Sequence, residues 1–183
     1  MDGSALAAPD GLDGFLRSAL RDVRDFPIDG IMFKDIAPLL ARRGAVSRIA
    51  AAMAPAMEKL RADAVMAIDA RGFILGAVLA DRLGAALVLV RKPGKLPGAV
   101  QAFDYTCEYC SGRLEVTEGA LAPGQRVLVV DDVLATGGTA RATADFAQAQ
   151  GAVVAGYGFL LEIAAIGGRS RLADAPVTAI LRC

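Results

Sequence analysis

Apolar positions along this chain fall into two patterns, one with helical spacing and one in short unbroken runs. Leu12, Phe15, Leu16, Ala19, Leu20 and Val23 recur at helical intervals with Arg and Asp on the other face. This predicts an amphipathic helix that ends at Phe26-Pro27, because the residue before a proline avoids helical angles. Residues 26–40 read as irregular, punctuated by Pro27, Gly30 and Pro38. Val46, Ile49, Ala50, Met53, Met57 and Leu60 predict a second amphipathic helix, with Pro55 as the place for a kink and the methionines read as core. The elements then alternate: a strand over 64–68, a turn over 69–72, a helix over 73–83 and a strand over 86–90. Residues 91–112 break that rhythm with Pro93, Gly94, Pro97 and Gly98, and loops of this length are often functional lids. A short strand over 113–117, a strand over 127–130, a helix over 139–150, a strand over 153–161 and a last strand near 177–181 complete the chain. Alternating strands and helices predict an α/β fold, a parallel twisted sheet flanked by helices. One domain covering 1–183 is expected, with residues 1–11 flexible. In such sheets ligands gather at the carboxyl ends of the strands.

Composition narrows the function classes. Lys plus Arg equals Asp plus Glu, 20 against 20, so the net charge is zero. A neutral chain argues against nucleic-acid or membrane-surface binding. No apolar run approaches the ~18 residues that a membrane span needs. Asp2 and Asp10, without a basic n-region, argue against a signal peptide, so a cytoplasmic setting is expected. Histidine is absent, which excludes Ser-His-Asp and Cys-His catalysis if this chain alone supplies the chemistry. Proton transfer then falls to Asp, Glu, Lys, Tyr or Cys. Cys107 and Cys110 have C-x₂-C spacing, but no second pair completes a zinc site, and they read as incidental loop thiols.

The most informative run is Val127-Leu-Val-Val-Asp-Asp-Val-Leu-Ala-Thr-Gly-Gly-Thr139. An apolar strand meets the adjacent carboxylates Asp131 and Asp132, then a small-residue loop of Ala135, Thr136, Gly137, Gly138 and Thr139, then a helix. The loop's free N–H groups at the positive end of that helix suit a phosphate monoester. Carboxylates only accept hydrogen bonds, so the pair suits sugar hydroxyls or hydrated Mg²⁺. No Lys follows the glycines, so this is not a nucleotide P-loop, and no G-x-G-x-x-G is present. Two cationic segments also follow strands: Asp69, Ala70, Arg71 and Gly72, and the run Arg91, Lys92, Pro93, Gly94, Lys95. Together with the loop they fit a substrate carrying a 5′-phosphate at one end and a pyrophosphate at the other.

These residues resemble the phosphoribosyl pyrophosphate signature of the type I phosphoribosyltransferases. The runs Phe26-Pro-Ile-Asp-Gly-Ile-Met-Phe-Lys-Asp-Ile36, Asp69-Ala-Arg-Gly-Phe-Ile-Leu-Gly76, Val90-Arg-Lys-Pro-Gly-Lys-Leu-Pro97 and Tyr105-Thr-Cys-Glu-Tyr109 resemble the adenine phosphoribosyltransferase branch in particular. The resemblance implies a type I phosphoribosyltransferase-like fold with an N-terminal hood segment and a long flexible loop. It implies a purine salvage enzyme that makes AMP and pyrophosphate from adenine and phosphoribosyl pyrophosphate, with Mg²⁺ bound mainly through the substrate, acting as a homodimer. Asp131 and Asp132 would hold the ribose, and Ala135 to Thr139 the 5′-phosphate. Asp69, Ala70, Arg71 and Gly72, with Arg91, Lys92 and Lys95, would take the pyrophosphate. Met32 (through its backbone) and Lys34 match the base-recognition segment, and Phe73 could pack against the purine. Glu108 matches the glutamate that handles the purine's ring proton, and Tyr109 would help close the loop. Two other readings stay open: transfer to a different purine base, and a sensor that binds phosphoribosyl pyrophosphate without turning it over.

Overall fold

The structure, a computed structural model, describes residues 11–26, 29–30, 32–106 and 111–183. Helix α1 (Leu12–Arg17) buries Leu12 and Leu16, which lie four apart on one face. It stops well short of the sequence expectation, because residues 21–24 read Arg-Asp-Val-Arg and offer no apolar face to hold a helix on the core. They form strand β1 (Arg21–Arg24) instead, paired antiparallel with β2 (Met32–Asp35). Cross-strand ion pairs support the pairing: Arg21 to Asp35 at 2.6 Å and Lys34 to Asp22 at 2.7 Å. The segment read as irregular therefore contains a strand. It also contains a short helix, α2 (Ala37–Leu40), whose first N–H is held by an Asp35 carboxylate oxygen at 2.8 Å.

Helix α3 (Ala45–Glu58) runs continuously through Pro55 and buries Ile49, Met53 and Met57, the core role expected of its methionines. Strand β3 (Ala64–Ile68), helix α4 (Gly72–Leu83) and strand β4 (Ala86–Val90) follow as read. Residues 91–106 hold more regular structure than the loop expected. They include β5 (Val100–Thr106), which pairs antiparallel with β6 (Ser111–Thr117). Strand β7 (Arg126–Leu134) extends through both carboxylates rather than ending before them. Helix α5 (Gly138–Ala149), strand β8 (Val153–Glu162), two 3₁₀ turns (Ala164–Ile166 and Gly168–Leu172) and strand β9 (Val177–Arg182) complete the order.

The central sheet has the order β4-β3-β7-β8-β9, and every pairing in it is parallel. Helices cover both faces, which explains why its strands are apolar without alternation. Val65, Leu128 and Val130 face α1, α3 and α4, whereas Met66, Val127 and Val129 face α5 and the β5–β6 hairpin. The hairpin is fixed to α5 by Phe103 stacked on Phe146, with ring centroids 4.7 Å apart. The sense of strand addition switches between β3 and β7: β4 is added on one side of β3, and β8 and β9 on the far side of β7. A ligand crevice is expected at the carboxyl ends of that adjacent pair. Asp69 and Asp131 sit there.

Candidate active site

Strand β7 delivers Asp131 and Asp132 to the sheet's carboxyl edge, and the chain then turns through Gly137, whose φ of 76° favours glycine, into α5. Helix α5 has no side-chain cap at its start, so the first N–H groups of a twelve-residue helix point into the loop. A cavity of about 130 Å³ lies there, lined by Asp131 and residues 135–140. Asp131 and the expected phosphate loop therefore line one cavity, whereas Asp132 lies outside its lining.

The two carboxylates differ in their surroundings. Asp131 accepts a hydrogen bond from the Asp132 N–H at 2.8 Å. Burial of its carboxyl group, and then the neighbouring charge of Asp132, hold it well above the usual aspartate range. Asp132, only 7 % exposed, is paired with the Arg71 guanidinium. Arg71, expected at the pyrophosphate, is thus paired with one of the carboxylates expected at the ribose.

The expected pyrophosphate segments also come together. The Asp69–Ala70 peptide bond is cis. Asp69 accepts from the Arg91 Nε at 3.3 Å and the Lys92 N–H at 3.4 Å, so the turn after β3 is tied to the one after β4. Arg91 is also fixed by paired backbone bonds with Glu115 and by its own donation to the Lys95 carbonyl at 3.2 Å. The Glu115 carboxylate accepts from the Gly94 N–H at 2.9 Å. Lys92 and Lys95 are exposed. Gly72 lets the first turn press against β7: a methyl group there would lie 2.9 Å from the Val130 carbonyl and 3.0 Å from the Asp131 carboxylate.

The base-recognition residues are only partly brought together. A second cavity, of about 300 Å³, is lined by Arg21, Val23, Phe26, Phe33, Asp35 and Arg71. Phe26 meets Phe33 edge to face, with centroids 5.0 Å apart, and Arg71 lies 5.6 Å from the Phe33 ring centre. Alternation along β2 puts Phe33 and Asp35 on this face and Met32 and Lys34 on the other. Lys34 donates to both oxygens of Asp22, at 2.7 and 2.9 Å, and does not enter this cavity. Phe73 lies beneath Arg91, 5.6 Å from its guanidinium carbon. Sequence reasoning overlooked Phe33, although it sits between the two residues it singled out; the two-residue strand period was the missing signal. Glu108 and Tyr109, with Cys107 and Cys110, lie outside the described residues. Among the described residues no cluster of three or more Asp, Glu or Cys forms a metal cage, and no helix is long and apolar enough to cross a membrane.

The phosphoribosyl transferase domain model matches residues 38–166, a span that holds the paired carboxylates, the start of α5 and the Asp69–Arg91 cluster. The chain is 57 % identical over 165 residues to adenine phosphoribosyltransferase 2 of Rhizobium etli, covering 90 % of each chain. It is 40 % identical to the crystal structure of adenine phosphoribosyltransferase from Thermoanaerobacter pseudethanolicus, with a TM-score of 0.88, covering 94 % of this chain and 99 % of that one. The enzyme from Saccharomyces cerevisiae, crystallised with an imino-altritol bisphosphate and adenine, is 33 % identical with a TM-score of 0.84, covering 94 % of this chain and 100 % of that one. This chain belongs to the adenine phosphoribosyltransferase family.

Proposed function

We infer that this chain transfers the 5-phosphoribosyl group from phosphoribosyl pyrophosphate to adenine, giving AMP and pyrophosphate in purine salvage. The observation that carries the reading is the shared enclosure of Asp131 and the uncapped start of α5, one strand away from the Asp69–Arg91 cluster. The loop N–H groups and the hydroxyls of Thr136 and Thr139 would hold the 5′-phosphate. Asp131 and Asp132 would accept from the ribose hydroxyls. When a sugar hydroxyl takes over on Asp132, Arg71 is released to face the pyrophosphate beside Arg91, Lys92, Lys95 and the Asp69 to Gly72 turn.

In the reaction the C1–oxygen bond to pyrophosphate breaks and a C1–N9 bond to adenine forms. Positive charge builds on the sugar and negative charge on the leaving group, and the fixed cations stabilise the latter. The donors present suit Mg²⁺ arriving with the substrate, since carboxylates bind its hydration waters; it would add charge neutralisation at the pyrophosphate. The purine is proposed to rest against Phe33 and the Arg71 plane, with the main chain at Met32 reading its edge and Phe73 supporting Arg91. Glu108 would accept the N9 proton and Tyr109 would help exclude water. A homodimer and a cytoplasmic setting belong to the same reading, on the family resemblance alone.

A product assay tests it. Purified protein is given Mg²⁺ and phosphoribosyl pyrophosphate with adenine, hypoxanthine, guanine or xanthine separately. AMP from adenine, with little nucleotide from the others, is the expected result. A different preferred base would overturn the base assignment, and no product from any base, with phosphoribosyl pyrophosphate still binding, would favour a sensor.

A further inference from the structure

Beyond the residues that would touch substrate, the chain after β8 returns beneath the phosphate loop. A methyl group at Gly168 would fall 2.1 Å from the Ala135 carbonyl oxygen, 2.7 Å from the Thr136 carbonyl carbon and 2.8 Å from the Gly137 nitrogen. The contact is reciprocal, since one at Gly137 would lie 2.7 Å from the Gly168 carbonyl oxygen. Two backbones are thus stacked with no side chain between them, and only glycine permits that approach.

The next residue fixes this contact in place. Arg169 donates its Nε to both Glu162 oxygens, at 3.0 and 3.1 Å, its Nη2 to one of them at 2.5 Å, and its Nη1 to the Val177 carbonyl at 2.8 Å. Glu162 is 2 % exposed and also lies 3.5 Å from Arg182. A buried carboxylate gripped by a planar fork is a stiff joint, and its geometry cannot be matched by a lysine. Glu162 stands opposite Leu134 in the sheet, and the Ile163 N–H donates to the Leu134 carbonyl at 2.9 Å. Leu172, fully buried beside Leu134 and Phe159, seats the far end of the turn. The turn is therefore fastened at Glu162, at Val177 and in the core, and its free edge, Gly168, bears on the loop.

We propose that Gly168, held by the Glu162–Arg169 pair, is a positioning element that sets the conformation of the Ala135 to Thr139 loop for the 5′-phosphate. The proposal rests on the reading of that loop as the phosphate site. It acts on one substrate only: displacing the loop weakens phosphoribosyl pyrophosphate and leaves adenine's contacts alone. Displacements near an ångström at such a site are costly.

Initial rates in both substrates for Gly168→Ala, Arg169→Lys and Thr139→Val test it, with melting temperatures measured alongside. Gly168→Ala is expected to raise KM for phosphoribosyl pyrophosphate by about tenfold or more. Arg169→Lys, which keeps charge but loses the fork, should raise it by about threefold; KM for adenine should stay within about twofold in both. Should Gly168→Ala not fold, Arg169→Lys carries the test. If Thr139→Val raises KM for phosphoribosyl pyrophosphate while the folded turn variants do not, the positioning role is wrong. Equal rises in both KM values would reduce the turn to general stability and overturn the proposal. An unaffected Thr139→Val would overturn the loop reading, and this inference with it.

Discussion

The carboxyl end of β7 and the β1–β2 hairpin, linked through Arg71, are built on opposite plans. The β7 end grows out of the sheet's central strand, with residues 127–130 fully buried and α5 packed behind the loop. The hairpin pairs four residues with four at the edge of the molecule, and its ion pairs are partly open to water. Exposed pairs of that kind contribute about 0–1 kcal/mol, whereas each large side chain buried under the sheet contributes roughly 1.5–3 kcal/mol. The proposed phosphoribosyl half of the site is therefore set by the fold itself, and the proposed base-recognising half is carried by an appended, weakly fastened element. Such a division lets one scaffold keep a common sugar-phosphate donor while the acceptor base is chosen by a peripheral segment.

Substitutions can break or sharpen that division. The largest effect belongs to neither half. Glu108→Ala is expected to lower turnover by about 10²–10⁴ with both KM values nearly unchanged, as for loss of a general base. Unchanged turnover, measured by AMP formation at saturating substrates, would remove Glu108 from the chemistry. Phe33→Ala should raise KM for adenine by about tenfold, since a base stacked on an aromatic ring gains about 1–3 kcal/mol. Adenine binding that ignores the ring would place the base elsewhere.

Asp131→Asn probes the buried half through pH. Its carboxyl is held above the usual range, so ionisation costs more in the folded than in the unfolded chain. Below the unfolded value both states are protonated and nothing is lost; the penalty grows as pH rises through the folded value. Asn should therefore raise the melting temperature at neutral pH, lose that advantage in acid, and weaken phosphoribosyl pyrophosphate. A melting temperature that falls at neutral pH would mean the carboxylate is compensated in the fold. The smallest effect is Lys34→Ala. With Lys34 on Asp22, it should cost at most about 1 kcal/mol of stability and shift KM for adenine less than about twofold. A tenfold rise would show that the lysine leaves Asp22 for the base.

The two halves were unequally legible in the sequence. Every strand of the central sheet was found, because strands covered on both faces write an unbroken apolar run. The acidic pair and Gly137-Gly138 also stood in plain order along one strand–loop–helix unit. The hairpin was invisible: strands of four residues with mostly exposed positions leave no hydrophobic signature, and Val23 lent itself to a helical pattern instead. Strand β5 was lost for a related reason, since it follows the Pro/Gly-rich run over 93–98. Motif resemblance led to Met32 and Lys34 without showing that Phe33, the residue between them, is the one that lines the cavity. The Arg71–Asp132 pair and the Gly168 contact join residues distant in sequence, and no local spacing announces them.

The division is tested most directly by the full initial-rate matrix in both substrates for the parent, Phe33→Ala and Thr139→Val. Phe33→Ala should raise KM for adenine alone, and Thr139→Val should raise KM for phosphoribosyl pyrophosphate alone, by about tenfold each. If Phe33→Ala raises KM for phosphoribosyl pyrophosphate as much as that for adenine, the hairpin is part of the phosphoribosyl site and the two halves are one.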